Sequence, residues 1–586
     1  MTEAVWKRRY RAPRFSFPTW ARGAPAHVVY GSNHEGTFEV YALDLASGEH
    51  RRLTSRPEGT GYRVASRIDP SGTTVWWWDD DRGNERGTRR AQPFAGGEAS
   101  AATDLAPAYS TGLALGRGFA IVGRSTDDGT TVHLSAEGGS TELYAHREHA
   151  RVGELSADET LVALDHSEHG DSRNPALRVI DRDGATVLDL SDGPGRGLRS
   201  GRWSPAAGDR RLIVVHERRG VSRPMLLDVR DGTERELAID LEGETTADWA
   251  PDASWLLIAH ERRGRGELYR YDLAADRLER IATPAGSIDA ARVRPDGDIW
   301  MAVSTSSSAR AVRTLSGEIV LPPSVAEIPA GRAYRDLDVG LVHGFVVEPD
   351  GPRPHPTIFI VHGGPEAHDT DSFSAGVQAW VDHGFAAACV NYRGSSGYGK
   401  EWRDAIRGKP GLTELEDVAA AHDRLVADGI ADPRRSVISG GSWGGYLTLL
   451  GLGTQPERWS LGIASVPIGD YVAAFEDEME PLRRYDAALF GGTPEEIPDV
   501  YRERNPITYV ERVNVPVLLL VGRNDPRCPA RSADVYVERL RALGKTFEVY
   551  EYDAGHGSLR LEETIRQMEA ELAFAAKHLG TTAPVA

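Results

Sequence analysis

Residues 436–446 read Ser-Val-Ile-Ser-Gly-Gly-Ser-Trp-Gly-Gly-Tyr, a buried-strand run that breaks into G-x-S-x-G and continues as an apolar helix through Leu447, Leu449 and Leu450. A serine on so sharp a strand-to-helix turn leaves no room for side chains beside it, hence Gly440 and Gly444. The helix that follows aims backbone N–H groups at whatever the serine attacks. The spacing alone is common, but its strand-turn-helix context is that of a nucleophile elbow. It predicts an α/β hydrolase domain, a doubly wound and mostly parallel sheet with Ser442 at the carboxyl end of a central strand.

That fold orders its catalytic groups along the chain as nucleophile, acid, histidine. Upstream, Thr357 to Val361 is a continuous apolar run of the buried parallel type, and it ends in His362-Gly363-Gly364-Pro365. Such a loop lets the main chain approach a substrate carbonyl, so the N–H groups of Gly364 and Trp443 are the candidate oxyanion hole. Downstream, the strand-like run Val515 to Val521 carries Asp525 just beyond its carboxyl end, where a triad acid belongs. The alternating run Phe547 to Tyr552 ends in Asp553-Ala554-Gly555-His556-Gly557. Of 18 histidines, position singles out His556. Asp553 competes with Asp525 as its partner, but it stands only three residues before the histidine and is better placed to shape the loop. The expected chemistry is general-base activation of Ser442 by His556, with Asp525 fixing the imidazole tautomer, through an acyl-enzyme.

Ahead of this domain, between residues 20 and 320, short strand-like runs are punctuated by a recurring turn: Asp69-Pro70-Ser71-Gly72, Ser156-Ala157-Asp158, Ser204-Pro205, Ala250-Pro251-Asp252 and Arg294-Pro295-Asp296-Gly297. Positions 157, 205, 251 and 295 are 48, 46 and 44 apart, and the 87 residues from 70 to 157 have room for two units. A repeat of roughly 40–45 residues is the length of one four-stranded propeller blade, which predicts an all-β, seven-bladed β-propeller. Tandem immunoglobulin-like sandwiches are the rival, and they want longer units. Trp76-Trp77-Trp78 reads as a propeller strand, with Trp76 and Trp78 on one face and Trp77 on the other.

Together HGGP at 362–365, NYRGSSGYG at 391–399, GGSWGGY at 440–446, NDPRCP around Asp525 and GHG at 555–557 resemble the prolyl oligopeptidase family of serine peptidases, most closely its acylaminoacyl-peptidase-like branch. The resemblance covers the whole chain, since that family also places a propeller before its hydrolase domain. It implies a propeller that restricts admission of folded proteins to the site.

The expected division is an N-terminal extension at 1–20, the propeller at 21–320 and the catalytic domain at 321–586. Pro322, Pro323 and Pro329-Ala330-Gly331 interrupt periodicity at the boundary. Beyond it, 340–349 looks like the first antiparallel strands of the sheet. Leu415, Val418, Ala419, Leu425 and Val426 form one helical stripe, and Ile565, Met568, Leu572 and Ala575 another. Trp6, Tyr10, Phe15 and Phe17 precede the first blade, and by analogy with the family they pack back onto the hydrolase domain.

A net charge of −19 argues against nucleic acid or an anionic membrane as a partner. No apolar run approaches the ~20 residues of a membrane span, and the segment from Met1 to Phe15 has no signal-peptide core. The two cysteines, Cys389 and Cys528, stand in a strand and beside the triad acid, so the expectation is a cytoplasmic protein without structural disulfides. No H-E-x-x-H or paired Cys-x-x-Cys occurs, and neither a metal nor a cofactor is expected. Assembly state, including a homo-oligomer, stays open.

Two features bear on substrate. Arg527 either reaches a substrate carbonyl or carboxylate or pairs with a neighbouring acid. The carboxylates Glu476, Asp477, Glu478 and Glu480 are either an exposed helix start or, over the active site, an anchor for a free α-ammonium group. The reading is a serine exopeptidase or oligopeptidase cleaving short peptides, N-blocked or with a free amino terminus. The rivals are a small-molecule amide or ester hydrolase on the same triad and a propeller-based binding protein.

Overall fold

The computed structural model describes residues 3–61, 63–322 and 327–580. From Thr19 to Leu321 the regular structure is all strand, and the strands fall in chain order into seven four-stranded antiparallel units. The second and third units are joined edge to edge where Arg86 and Gly87 pair with Tyr109 and Ala108. The recurring turns each link the first strand of a unit to its second, and their aspartates explain the motif. Asp69, Asp158, Asp252 and Asp296 each accept a backbone N–H from further along the turn, at Thr73, Thr160, Ser254 and Asp298 respectively. Each unit shares an apolar core with the next. A last core joins Val28, Tyr30, Tyr41 and Leu43 of the first unit to Trp300, Ala302 and Val312 of the seventh, so the succession returns on itself.

The second domain is one eight-stranded sheet. Its strands are β1 (Arg335–Val339), β2 (Val342–Val347), β3 (His355–Val361), β4 (Ala386–Asn391), β5 (Ala431–Gly441), β6 (Leu461–Ser465), β7 (Val517–Gly522) and β8 (Phe547–Tyr552), in the order β1-β2-β4-β3-β5-β6-β7-β8. The β1–β2 and β2–β4 pairs are antiparallel and the rest parallel. Apolar cores cover both faces, as the continuous apolar runs of β3, β4 and β7 require. Helix Leu412–Ala427 supplies Leu415, Val418 and Leu425 to one core, and helix Leu561–Leu579 supplies Ile565, Met568, Leu572 and Ala575 to the other. Helix Val5–Tyr10 inserts Trp6 into the second core beside Trp380, while Phe15 joins the core between the first and last ring units. The N-terminal segment thus bridges the two domains. Residues 323–326 of the expected linker, with Pro323, lie outside the described residues. Among those described, no helix is long and apolar enough to cross a membrane.

The helix Leu412–Ala427 is capped by its own acid: Glu414 Oε2 accepts the Gly411 N–H at 2.7 Å, while Oε1 has no partner. Burial pushes this carboxyl up to about 8. The unfolded chain therefore releases the proton from about pH 4.5, whereas the folded chain keeps it to about pH 8. Unfolding releases a proton in that window, and the stability contribution falls as pH rises, by up to ~1.4 kcal/mol per unit. In Glu414→Gln, which keeps the acceptor, urea midpoints are expected to fall less between pH 5 and 8 than in the wild type. Identical pH slopes would refute this.

Candidate active site

Strand β5 ends at Gly441 and the next helix starts at Trp443, leaving Ser442 alone at the turn with φ 58° and ψ −121°. This strained backbone survives because its neighbours over-determine it. Ser442 N–H donates to Ser465 O on β6 at 2.9 Å, and Tyr446 N–H donates to Ser442 O at 2.9 Å. A side chain at Gly444 would place Cβ 2.0 Å from Val361 O, and one at Gly440 would place it 2.4 Å from the same atom, so both positions admit only glycine.

The loop after β7 brings Asp525 and the loop after β8 brings His556. His556 Nδ1 and Asp525 Oδ2 are 2.6 Å apart, and both side chains are buried. Asp525 Oδ1 is held by the N–H groups of Arg527 and Cys528 at 2.8 and 3.0 Å, which fixes the carboxylate's orientation. Asp553 turns outward, 70 % exposed, to the guanidinium of Arg82 at 2.8 Å. Ser442 Oγ rests 3.9 Å from the sulfur of Cys528. Burial, then the carboxylate of Asp525, holds that thiol protonated.

The oxyanion-type loop is anchored by the NYRGSSGYG segment, a role the sequence did not assign to it. His362 stacks on Tyr392 with ring centroids 4.1 Å apart, and its Nε2 meets Ser395 Oγ at 2.7 Å. Burial pushes the imidazole of His362 down to about 4, so it stays neutral. Tyr392 OH donates to His362 O at 2.7 Å. Asn391 binds the main chain of Asp369 through both amide atoms, at 2.7 and 3.0 Å. So held, the loop carries Gly364 with φ 134° and lies against Ser442, a Cβ on Gly363 falling 3.3 Å from Ser442 Cβ.

The ring of sheets supplies the rest. Glu85, on the turn after Thr74–Asp80, accepts Arg527 Nε and Nη2 at 2.6 and 2.7 Å. The same turn receives Asn524 Nδ2 on the carbonyl of Asp81 at 2.5 Å. Gly83 fits so closely on Gly555 that a Cβ there would lie 1.9 Å from Gly83 O. On the opposite side Arg173, its side chain almost fully buried, donates to Glu366 Oε1 at 2.7 Å, and Tyr485 OH donates to the same oxygen at 3.2 Å. The loops bearing Asp525 and His556 and the turn at 362–366 are therefore all braced from the first domain.

Residues 371–582 match the family model of the prolyl oligopeptidase family. The dipeptidyl aminopeptidase BIII of Pseudoxanthomonas mexicana is 24 % identical over 590 residues, 94 % of this chain and 78 % of that protein. The acylamino-acid-releasing enzyme of Arabidopsis thaliana is 29 % identical over 208 residues, 33 % of this chain and 26 % of the relative. Over residues 371–582 the chain is thus similar to the prolyl oligopeptidase family. It is a serine-type hydrolase. Over its full length its fold is that of a puromycin-hydrolyzing peptidase of Mycobacterium tuberculosis, with TM-score 0.83 and 20 % identity, covering 99 % of this chain and 97 % of the other.

In this chain the four carboxylates near 478 divide. Glu476 and Asp477 are exposed and both pair with Arg531, at 2.6 and 2.5 Å. Glu480 is buried against Ser125 of the ring and Arg484. Glu478 and Asp486 are 3 % and 5 % exposed. Asp486 accepts Tyr471 OH at 2.6 Å, whereas Glu478 Oε1 has no partner. Burial drives both carboxyls up; the charge of Asp486 adds to the rise at Glu478, while the Tyr471 hydroxyl counters it at Asp486. Asp486 lies outside the 476–480 cluster, and no local signal marks it.

Among the described residues, two groups have metal-ligand spacing. Asp525, Cys528 and His556 are the site itself, where the protonated thiol is a poor ligand. His166, His169 and Asp189 share their space with the Arg178 guanidinium, 2.5 Å from Asp189, which takes the place of a cation.

Proposed function

We propose that Ser442, His556 and Asp525 form the catalytic triad of an exopeptidase for short peptides with a free amino terminus. The observation that carries the triad is the 2.6 Å His556–Asp525 pair beside a serine held in strained backbone geometry. A χ1 rotation carries Ser442 Oγ from the Cys528 sulfur toward the imidazole; such bonds tighten in the substrate complex. His556 takes the serine proton as Oγ attacks the scissile carbonyl, and the N–H groups of Gly364 and Trp443 hold the oxyanion. The proton then passes to the departing amine, and water, activated by the same histidine, releases the acyl group. The ring of seven four-stranded units acts as a seven-bladed β-propeller over this site, from about residue 21 to 320 and before a catalytic domain from about 321. It limits substrates to short peptides.

Selection of a free amino terminus falls to Glu478 with Asp486. Met479 N–H donates to Pro526 O at 2.8 Å, which sets Glu478 beside the segment carrying Cys528, whose sulfur lies 3.9 Å from Ser442 Oγ. Two buried carboxyls with an unpaired oxygen and, among the described residues, no salt bridge to either are under-compensated, and a substrate ammonium supplies what is missing. Removing one partner of a desolvated charge pair costs roughly 2–5 kcal/mol, a factor of about 30 or more. Glu478→Gln and Asp486→Asn are therefore expected to raise KM for alanyl 4-nitroanilide by that factor and to spare N-acetyl-alanyl 4-nitroanilide. Glu476→Gln and Asp477→Asn should change neither. Equal effects on both substrates, or faster wild-type turnover of the acetylated one, would favour an acylaminoacyl-type specificity instead.

A further inference from the structure

Beside His556 the two domains enclose a cavity of about 280 Å³. The hydrolase side is walled by His556 and Leu559 and the ring side by Trp78, Val64, Arg63 and Glu85, while neither Ser442 nor the 362–365 loop lines it. Ligand pockets for drug-sized molecules run to ~300–1,000 Å³, so this one has room for about one large side chain.

Trp78 is unlike its two neighbours. Trp77 enters the apolar core shared by the first and second units, and Trp76 packs on the core shared by the second and third. Trp78 is 5 % exposed yet belongs to no apolar core among the described residues. Its indole rests on the Arg89 guanidinium, 5.1 Å from the ring centroid, and its buried Nε1–H has no partner. A buried aromatic that serves no core, leaves its one donor unused and walls a cavity is built to meet a ligand. Arg63 donates to His556 O at 3.1 Å and stands 3.6 Å from Glu85, so the wall and the imidazole are tied together.

The imidazole hands its proton to the departing amine, so that amine must lie against His556 on the side away from the oxyanion-type loop. We propose that this cavity receives the leaving group and that Trp78 selects leaving amines carrying an aromatic or large apolar side chain next to the scissile bond. This inference rests on the triad reading above. Val64 and Leu559 complete the apolar wall, and the indole N–H meets the carbonyl of the leaving residue.

The acyl-enzyme tests it directly. Alanine methyl ester, whose own leaving group is methanol, acylates the enzyme, and phenylalaninamide or glycinamide at equal free-base concentration competes with water. The acyl–serine ester bond breaks, an amide bond to the added amine forms, and the amine proton goes to His556. Phenylalaninamide is expected to trap the acyl group about tenfold or more better than glycinamide, the scale of discrimination an apolar pocket supplies. Trp78→Ala and Trp78→Leu should both bring that ratio close to one. The ratio does not depend on how much enzyme is active, so a poorly folding variant still reports. Equal trapping by the wild type, or a ratio preserved in both variants, would overturn the inference while leaving the triad standing. Turnover that survives Ser442→Ala, with no trapping by either amine, would overturn the triad and this inference with it.

Discussion

Ser442→Ala is expected to lower kcat/KM for peptide and ester substrates by about 10⁴-fold or more while leaving the thermal unfolding transition in place. The hydroxyl's partner is the sulfur of Cys528, 3.9 Å away, so its loss strands only a weak thiol donor. The strained backbone at φ 58° is imposed by the flanking glycines and by the bond to Ser465, not by the side chain. Asp525→Asn is expected to cost on the order of 10⁴-fold, because an amide in place of Oδ2 favours the wrong imidazole tautomer. Asp553→Asn should cost little, since that carboxylate faces Arg82 at the surface. A purified Ser442→Ala enzyme that still labels with a serine-directed phosphonate, or an Asp553 variant more damaged than Asp525→Asn, would remove the assignment.

The second large effect is expected from a residue of the other domain. Glu85→Ala leaves the guanidinium of Arg527 buried without its bidentate partner. The carboxylate nearest along the chain is then Asp525, whose Oδ1 already accepts the Arg527 main-chain N–H. A guanidinium drawn onto Asp525 pulls Oδ2 off His556, and a displacement of about 1 Å in such a group costs roughly 10²-fold in rate. The double variant Glu85→Ala/Arg527→Leu removes the competing cation and should recover most of that loss in kcat. A double variant no better than Glu85→Ala would mean that Arg527 acts on the substrate itself, the other role its position near the acid allows.

Much of the catalytic domain was legible because it is written locally. The elbow needs glycines at fixed offsets from its serine, since the main chain of Val361 passes within 2.4 Å of where their Cβ atoms would lie. Asp525 follows the buried strand β7 and His556 the half-exposed edge strand β8, in the chain order that an elbow serine leads one to look for. The seven units were legible where Asp closes the turn between a unit's first and second strands, and not where it is absent. The third unit, Ala108 to His146, turns its hairpin with Arg117-Gly118 and so showed only as a doubled spacing.

What the chain alone did not reveal depends on how the two domains dock. Glu85 meets Arg527 across 442 residues, Arg173 meets Glu366 across 193, and Trp78 reaches the cavity at His556 from a strand that reads only as ring core. The carboxylates at 476–480 form one cluster in sequence. In the structure two point to solvent, one binds the ring, and one is buried with Asp486. Local spacing sets which face of an element a residue occupies. Whether that face meets water, a partner domain or the substrate is decided by packing between elements far apart in the chain.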